Sequence, residues 1–115
     1  VPVGLGTDTA CPFVTQYDMW RELDFYGKYC GVSNAFALYT GTLLNATLAG
    51  VGDVTGSIEV GKCADMIVTK GNPREELSVL RHVEMVVKDG VIYDHPQVKK
   101  IPEVEVEMDK FNRVK

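Results

Sequence analysis

The first six residues, Val-Pro-Val-Gly-Leu-Gly, are almost wholly apolar. Such a stretch suits a strand covered on both faces, the kind found in parallel sheets. The helical patterns after it contain no second strand of this type. A lone strand of this kind cannot stand, because its backbone N–H and C=O groups need neighbours on both edges. Its partners are therefore expected in other sequence or another chain. The 115 residues are enough for one small domain. They open at Val1, inside what reads as a strand, and a piece of something longer is the expectation.

Helical periodicity comes next. Met19, Trp20, Leu23, Tyr26 and Cys30 make one apolar stripe within 15–30, with Lys28 near the end and Gly31 as a stop. Ser33 is placed to cap a second helix through Tyr39, and Thr42 a third through Ala49. The period then changes. SIEVG reads as a short strand or arch, and ADMIVTKGNP as a strand with a Gly-Asn-Pro stop. A helical turn is expected over Glu75–Leu80. Asp89-Gly90 between alternating apolar residues predicts a hairpin with a type I′ turn. The tail EVEVEMD alternates and predicts an edge strand with a solvated glutamate face.

The charge balance, 12 basic against 16 acidic residues, shows no basic stripe, so nucleic acid is not an expected partner. The apolar runs are too short for a membrane span, and no membrane partner is expected. Cys11, Cys30 and Cys63 are odd in number and far apart. They suit neither a zinc knuckle nor a disulfide framework, and a reducing, cytoplasmic setting is expected.

Asp8 is the first candidate for chemistry. An Asp after a strand commonly serves a turn or a cap. The alternative is geometric: in α/β barrels the carboxyl ends of strands face the active site. His82 and His95 form neither an i, i+2 nor an i, i+4 pair, and metal ligation needs clustered donors. Both read as structural residues. Cys11 has no base nearby to activate it. Trp20 and the tyrosines read as core. Lys62 and Asp65 read as turn and strand-start residues.

Several stretches together resemble the metal-dependent amidohydrolase superfamily, over residues 1 to about 94. GLGTD is similar to its eighth barrel strand. NATLAGVGDVTGSIEVGKCADMIVTKGNP is similar to the stretch after that strand, with its Gly-Ser-Ile-Glu-x-Gly-Lys-x-Ala-Asp run. VEMVVKDGVIYD resembles the closing hairpin. GNPREELSVLRHVEMVVKDG is most similar to the prolidase-like and imidazolonepropionase-like branch. The helix TGTLLNATLAG departs from the family's A-T-x-N-x-A pattern, retaining only NAT, and the tail after His95 carries no motif of the resemblance.

The resemblance implies an α/β plus β architecture: the last strand and helices of a (β/α)8 TIM barrel, then the C-terminal strands of a small β-sandwich. Residues 1–52 would end the barrel, 53–95 would complete the small β domain, and 96–115 would be a tail or edge strand. It implies a divalent metal, zinc by expectation, with Asp8 as metal ligand and proton shuttle in hydrolysis of an amide, cyclic amide or dipeptide C–N bond. The substrate would be a small molecule. The other ligands, a His-x-His pair among them, are not in this sequence. The segment alone is thus expected to be inactive, to bind no metal tightly and to self-associate. A deaminase of a nitrogen heterocycle and a non-enzymatic scaffold remain alternatives.

Overall fold

A computed structural model describes residues 1–12 and 14–112. Helix α1 spans Met19–Cys30. It begins later than the periodicity suggests because residues 15–18 close on themselves. Thr15 Oγ1 donates to Asp18 Oδ2 at 2.8 Å, and the Asp18 N–H reaches the Thr15 carbonyl. This local bonding competes with a helical turn. Gly31, with φ 68°, ends the helix as expected, its N–H bonding the Gly27 carbonyl at 3.1 Å.

Ser33 caps α2 (Asn34–Tyr39), its hydroxyl accepting the Phe36 N–H. The predicted break before Thr42 is absent. The chain passes through a π-helical turn, Thr40–Leu44, straight into α3 (Asn45–Leu48). The Thr42 hydroxyl donates backward to the Leu38 carbonyl at 2.6 Å and so caps nothing. Gly41 lets this helix approach α1: a Cβ there would meet Leu23 Cδ2 at 2.8 Å.

The sheet has three antiparallel strands in the order β1 (Met66–Thr69), β2 (Val83–Lys88) and β3 (Val91–Asp94). Met66 faces Val87 and Lys88 faces Val91. Asp89 and Gly90 have φ of 51° and 79°, the paired left-handed residues of a type I′ turn. A 3-10 turn at Leu77–Arg81 delivers the chain into β2. SIEVG forms turns, so its strand alternative is not realised.

Two further expectations are corrected. Residues 1–6 form no strand among the described residues, because no ladder partner lies beside them. The tail is a helix, α4 (Pro102–Asn112), where an edge strand was expected. Pro102 suits a first helical position, Glu103 and Glu105 suit the first turn, and Lys110 suits the last. Helical spacing puts Glu105, Asp109 and Asn112 on one face, and Glu105 is buried instead of solvated. Residues 113–115, the end of the predicted tail, lie outside the described residues.

The core lies in the helical half. Leu23, Ala37 and Leu77 are buried together, with Leu5, Tyr26, Val32, Leu38 and Leu80 packed around them. Trp20 is buried as expected, with the Arg21 and Arg81 guanidiniums 4.7 and 5.6 Å from its ring centre. The sheet holds no fully buried side chain. Among the described residues no helix is long and apolar enough to cross a membrane.

Candidate functional site

Asp8 follows the apolar segment and sits in a sharp turn. Its φ is 49°, in the left-handed region that Asp tolerates better than most residues. Its carbonyl accepts the Cys11 N–H at 3.1 Å, and Thr7 and Thr9 share a hydroxyl–hydroxyl bond at 2.7 Å across it. Asp8 is exposed, and among the described residues no side chain bonds its carboxylate. The backbone thus turns around Asp8 and leaves its carboxylate free to meet other groups. The segment is held three residues earlier: Asn45 bonds both the N–H and the C=O of Leu5, at 2.9 and 2.8 Å.

The other candidates are not gathered around it. His82 and His95 are exposed. His95 lies 3.8 Å from carboxylate oxygens of both Glu84 and Asp94. Cys11 is exposed within the Asp8 turn. Among the described residues no group of three or more His, Cys, Asp or Glu side chains is placed to hold a metal. A zinc centre takes three or four protein ligands. The residues of this segment therefore do not fit a complete metal centre, and Asp8 could supply one ligand of one.

Two polar clusters exceed their sequence reading. Asp65, read as a strand start, accepts from Thr55 Oγ1 (2.9 Å), Lys88 Nζ (2.9 and 3.0 Å) and the Asp89 N–H (2.8 Å). Lys88 first, then the Asp89 N–H and Thr55, draw its pKa down to about 2. Lys62 donates to the Gly52 carbonyl and Ser57 Oγ, both at 2.6 Å. These two residues of the Gly-Lys-Cys-Ala-Asp run clip the 52–65 loop and the hairpin turn together. In the second cluster Arg21 is buried among Asp18, Glu105 and Asp109. Burial works against the charge of Asp109, but Arg21 and Arg81 outweigh it and hold its carboxyl below the usual range. The only sequence signal for this cluster was the helical spacing of Glu105 and Asp109, hidden within an alternating pattern.

Residues 1–93 match the sequence profile of the amidohydrolase family. Among solved structures, a presumed prolidase from Bifidobacterium longum is 40% identical over 96% of this chain and 27% of its own, with a TM-score of 0.92. A Xaa-Pro dipeptidase with methionine bound in its active site is 39% identical, over 79% of this chain and 22% of its own, at a TM-score of 0.69. A prolidase complexed with N-methylphosphonate-L-proline is 26% identical, over 81% and 23%, at 0.67. The chain thus spans about a quarter of the length of these structures. No curated protein matches it.

Proposed function

The chain belongs to the amidohydrolase family, and from that premise we propose that it is the C-terminal part of a metal-dependent hydrolase of C–N bonds, with a dipeptide ending in proline as the substrate class. The observation that carries this reading is the match along 96% of the chain, at 40% identity, to the Bifidobacterium longum protein. In this reading residues 1–52 close a (β/α)8 barrel whose other strands lie outside this sequence. Residues 53–95 complete a small β domain, and α4 takes the place assigned to a tail. Residues 1–4 and 6 support it: among the described residues only Leu5 of this segment has backbone hydrogen-bond partners, and the rest would be met by flanking strands.

Asp8 is the residue this segment brings to the chemistry. A divalent metal, zinc in this reading, would supply Lewis acidity to the scissile carbonyl. Asp8 would be one ligand among others carried elsewhere. Its carboxylate accepts a proton from the attacking water as the new C–O bond forms. It returns that proton to the nitrogen as the C–N bond breaks. The exposed carboxylate at a turn suits this role: it must meet solvent and substrate, and among the described residues no side chain bonds it. The turn at Asp8, with φ 49°, supports this role by giving the local backbone a defined direction.

The test is an assay of the full-length protein, loaded with zinc or manganese, against Xaa-Pro dipeptides, other dipeptides and nitrogen heterocycles. Proline release is the expected result. Ammonia release from a heterocycle would replace this reading with a deaminase. Inactivity on all three classes in the fully metallated protein would favour a scaffold.

A further inference from the structure

Both backbone polar groups of Leu5 end on one side chain. The Leu5 N–H donates to Asn45 Oδ1 at 2.9 Å, and the Leu5 C=O accepts from Asn45 Nδ2 at 2.8 Å. A carboxamide presents one donor and one acceptor side by side, as a peptide group does. Asn45 therefore does on this edge what a neighbouring strand would do. Among the described residues these are the only hydrogen bonds from residues 1–8 to anything beyond residue 11.

The helix is shaped for this contact. Asn45 is the first residue after the π-helical turn Thr40–Leu44. An extra residue in one turn rotates every later side chain by about 100°. The direction of Asn45 is thus set by that turn. Thr40 is fully buried and anchors the turn, donating to the Ala37 carbonyl at 2.6 Å. Opposite, Gly4 leaves room for the carboxamide. A Cβ at Gly4 would overlap Asn45 Oδ1 and lie 3.0 Å from Leu48 Cδ1. Leu5 itself packs on the Leu23–Ala37–Leu77 core. The segment is therefore pinned to the helix at Leu5, and the bonds of Thr7 and Asp8 beyond it are local, to Thr9 and Cys11.

We propose that Asn45 is a positioning residue for Asp8: it holds the Leu5 peptide on the helix, and so sets where the Asp8 carboxylate stands three residues later. This rests on the reading of Asp8 as ligand and proton carrier. In a reaction that needs a carboxylate at one place, a displacement of about 1 Å costs on the order of a hundredfold in rate. Pinning the backbone at Leu5 limits such displacement.

The test uses Asn45→Ala, Asn45→Asp and Asp8→Asn in the full-length protein, assayed on an Xaa-Pro dipeptide. Amide exchange at Leu5 is followed in the 115-residue chain. Asn45→Ala removes both bonds. Asn45→Asp keeps the acceptor for the Leu5 N–H but turns an oxygen toward the Leu5 carbonyl. In both, kcat should fall roughly tenfold to a hundredfold, with KM within about twofold of the parent. The Leu5 amide should exchange roughly tenfold faster in Asn45→Ala but not in Asn45→Asp, while the hairpin amides around Asp89-Gly90 keep their rates. Should Asn45→Ala fail to fold, Asn45→Asp decides. Unchanged kcat in a folded Asn45 variant, with Asp8→Asn inactive, overturns this proposal alone. Full activity in Asp8→Asn overturns the reading of Asp8 and this proposal with it.

Discussion

Arg21 Nη1 lies 3.0 Å from Asp109 Oδ1, which ties the last helix to the first through a guanidinium with only 1% of its surface exposed. Glu105 Oε2 is 3.3 Å from Arg21 Nη2 and 2.9 Å from Arg81 Nη2. Arg21 Nη1 also donates to Asn112 Oδ1 at 2.6 Å. The helix α4 is thus docked largely by charge, where an apolar stripe would be more usual.

Arg21→Met should therefore destabilise the chain despite its similar volume. It would leave Asp18, Glu105 and Asp109 facing one another with only Arg81 and the more distant Lys100, 3.8 Å from Glu105, to balance them. Breaking a buried pair by removing one partner typically costs about 3–5 kcal/mol. Urea unfolding should show a loss of that order, and adding Glu105→Gln should recover part of it. A shift within error in the single variant would mean that the cluster is open to water.

Asp65 predicts an acid-sensitive fastener. Its folded pKa, about 2, lies below the ordinary 3.8, so the folded state prefers the charged form. Its contribution to stability is complete above 3.8 and is lost as the pH falls through about 2. Asp65→Asn should lower the urea midpoint at neutral pH, and the two proteins should converge near pH 2. Parallel curves across that window would show that Lys88 and the Asp89 N–H do not hold the carboxylate in solution.

Asp8→Asn should leave folding almost unchanged, since Asp8 is exposed and its carboxylate is unbonded among the described residues. In the full-length protein turnover should fall by orders of magnitude, because a carboxamide cannot carry the proton. Calorimetric melting and a dipeptide assay check the two halves. Near-normal kcat at saturating metal would remove Asp8 from the chemistry.

Titration of the 115-residue chain with zinc or manganese should show no stoichiometric tight site, since a catalytic zinc takes about three protein ligands and Asp8 is the one this segment offers. A tight site abolished by Asp8→Asn would mean that copies of the chain build a centre between them.

The isolated segment should self-associate. Val1, Val3, Ile58, Val60, Ile67 and Ile92 are all exposed. Covering each such side chain is worth about 1.5–3 kcal/mol. Sedimentation at low micromolar concentration should find species heavier than a monomer, and a dye for apolar surface should bind. A monomer that binds no dye would show that these faces need no cover.

Local chemistry made much of this fold legible. The Ser33 cap, the Gly31 stop and the Asp89-Gly90 turn each depend on a residue and its near neighbours, so their signals survive in the sequence. Asp8 was legible as a candidate because a polar residue ending an apolar run stands out without any partner. The tail was misread for a physical reason. Glu-Val alternation fits a strand of period two, yet Val104 and Met108, and Glu105 and Asp109, also stand four apart. Only Arg21 and Arg81, far away in sequence, decide which period wins, because they reward carboxylates on one helical face. The same holds at Asn45. Nothing local distinguishes it as the partner of Leu5; the π-helical turn and the bare backbone of Gly4 bring them together. The Ser33 cap, the Gly31 stop and the Asp89-Gly90 turn are properties of neighbours along the chain, and the sequence alone determined them. Which carboxylate is buried, and which side chain stands in for a missing strand, depends on groups tens of residues apart, and only the tertiary structure decided it.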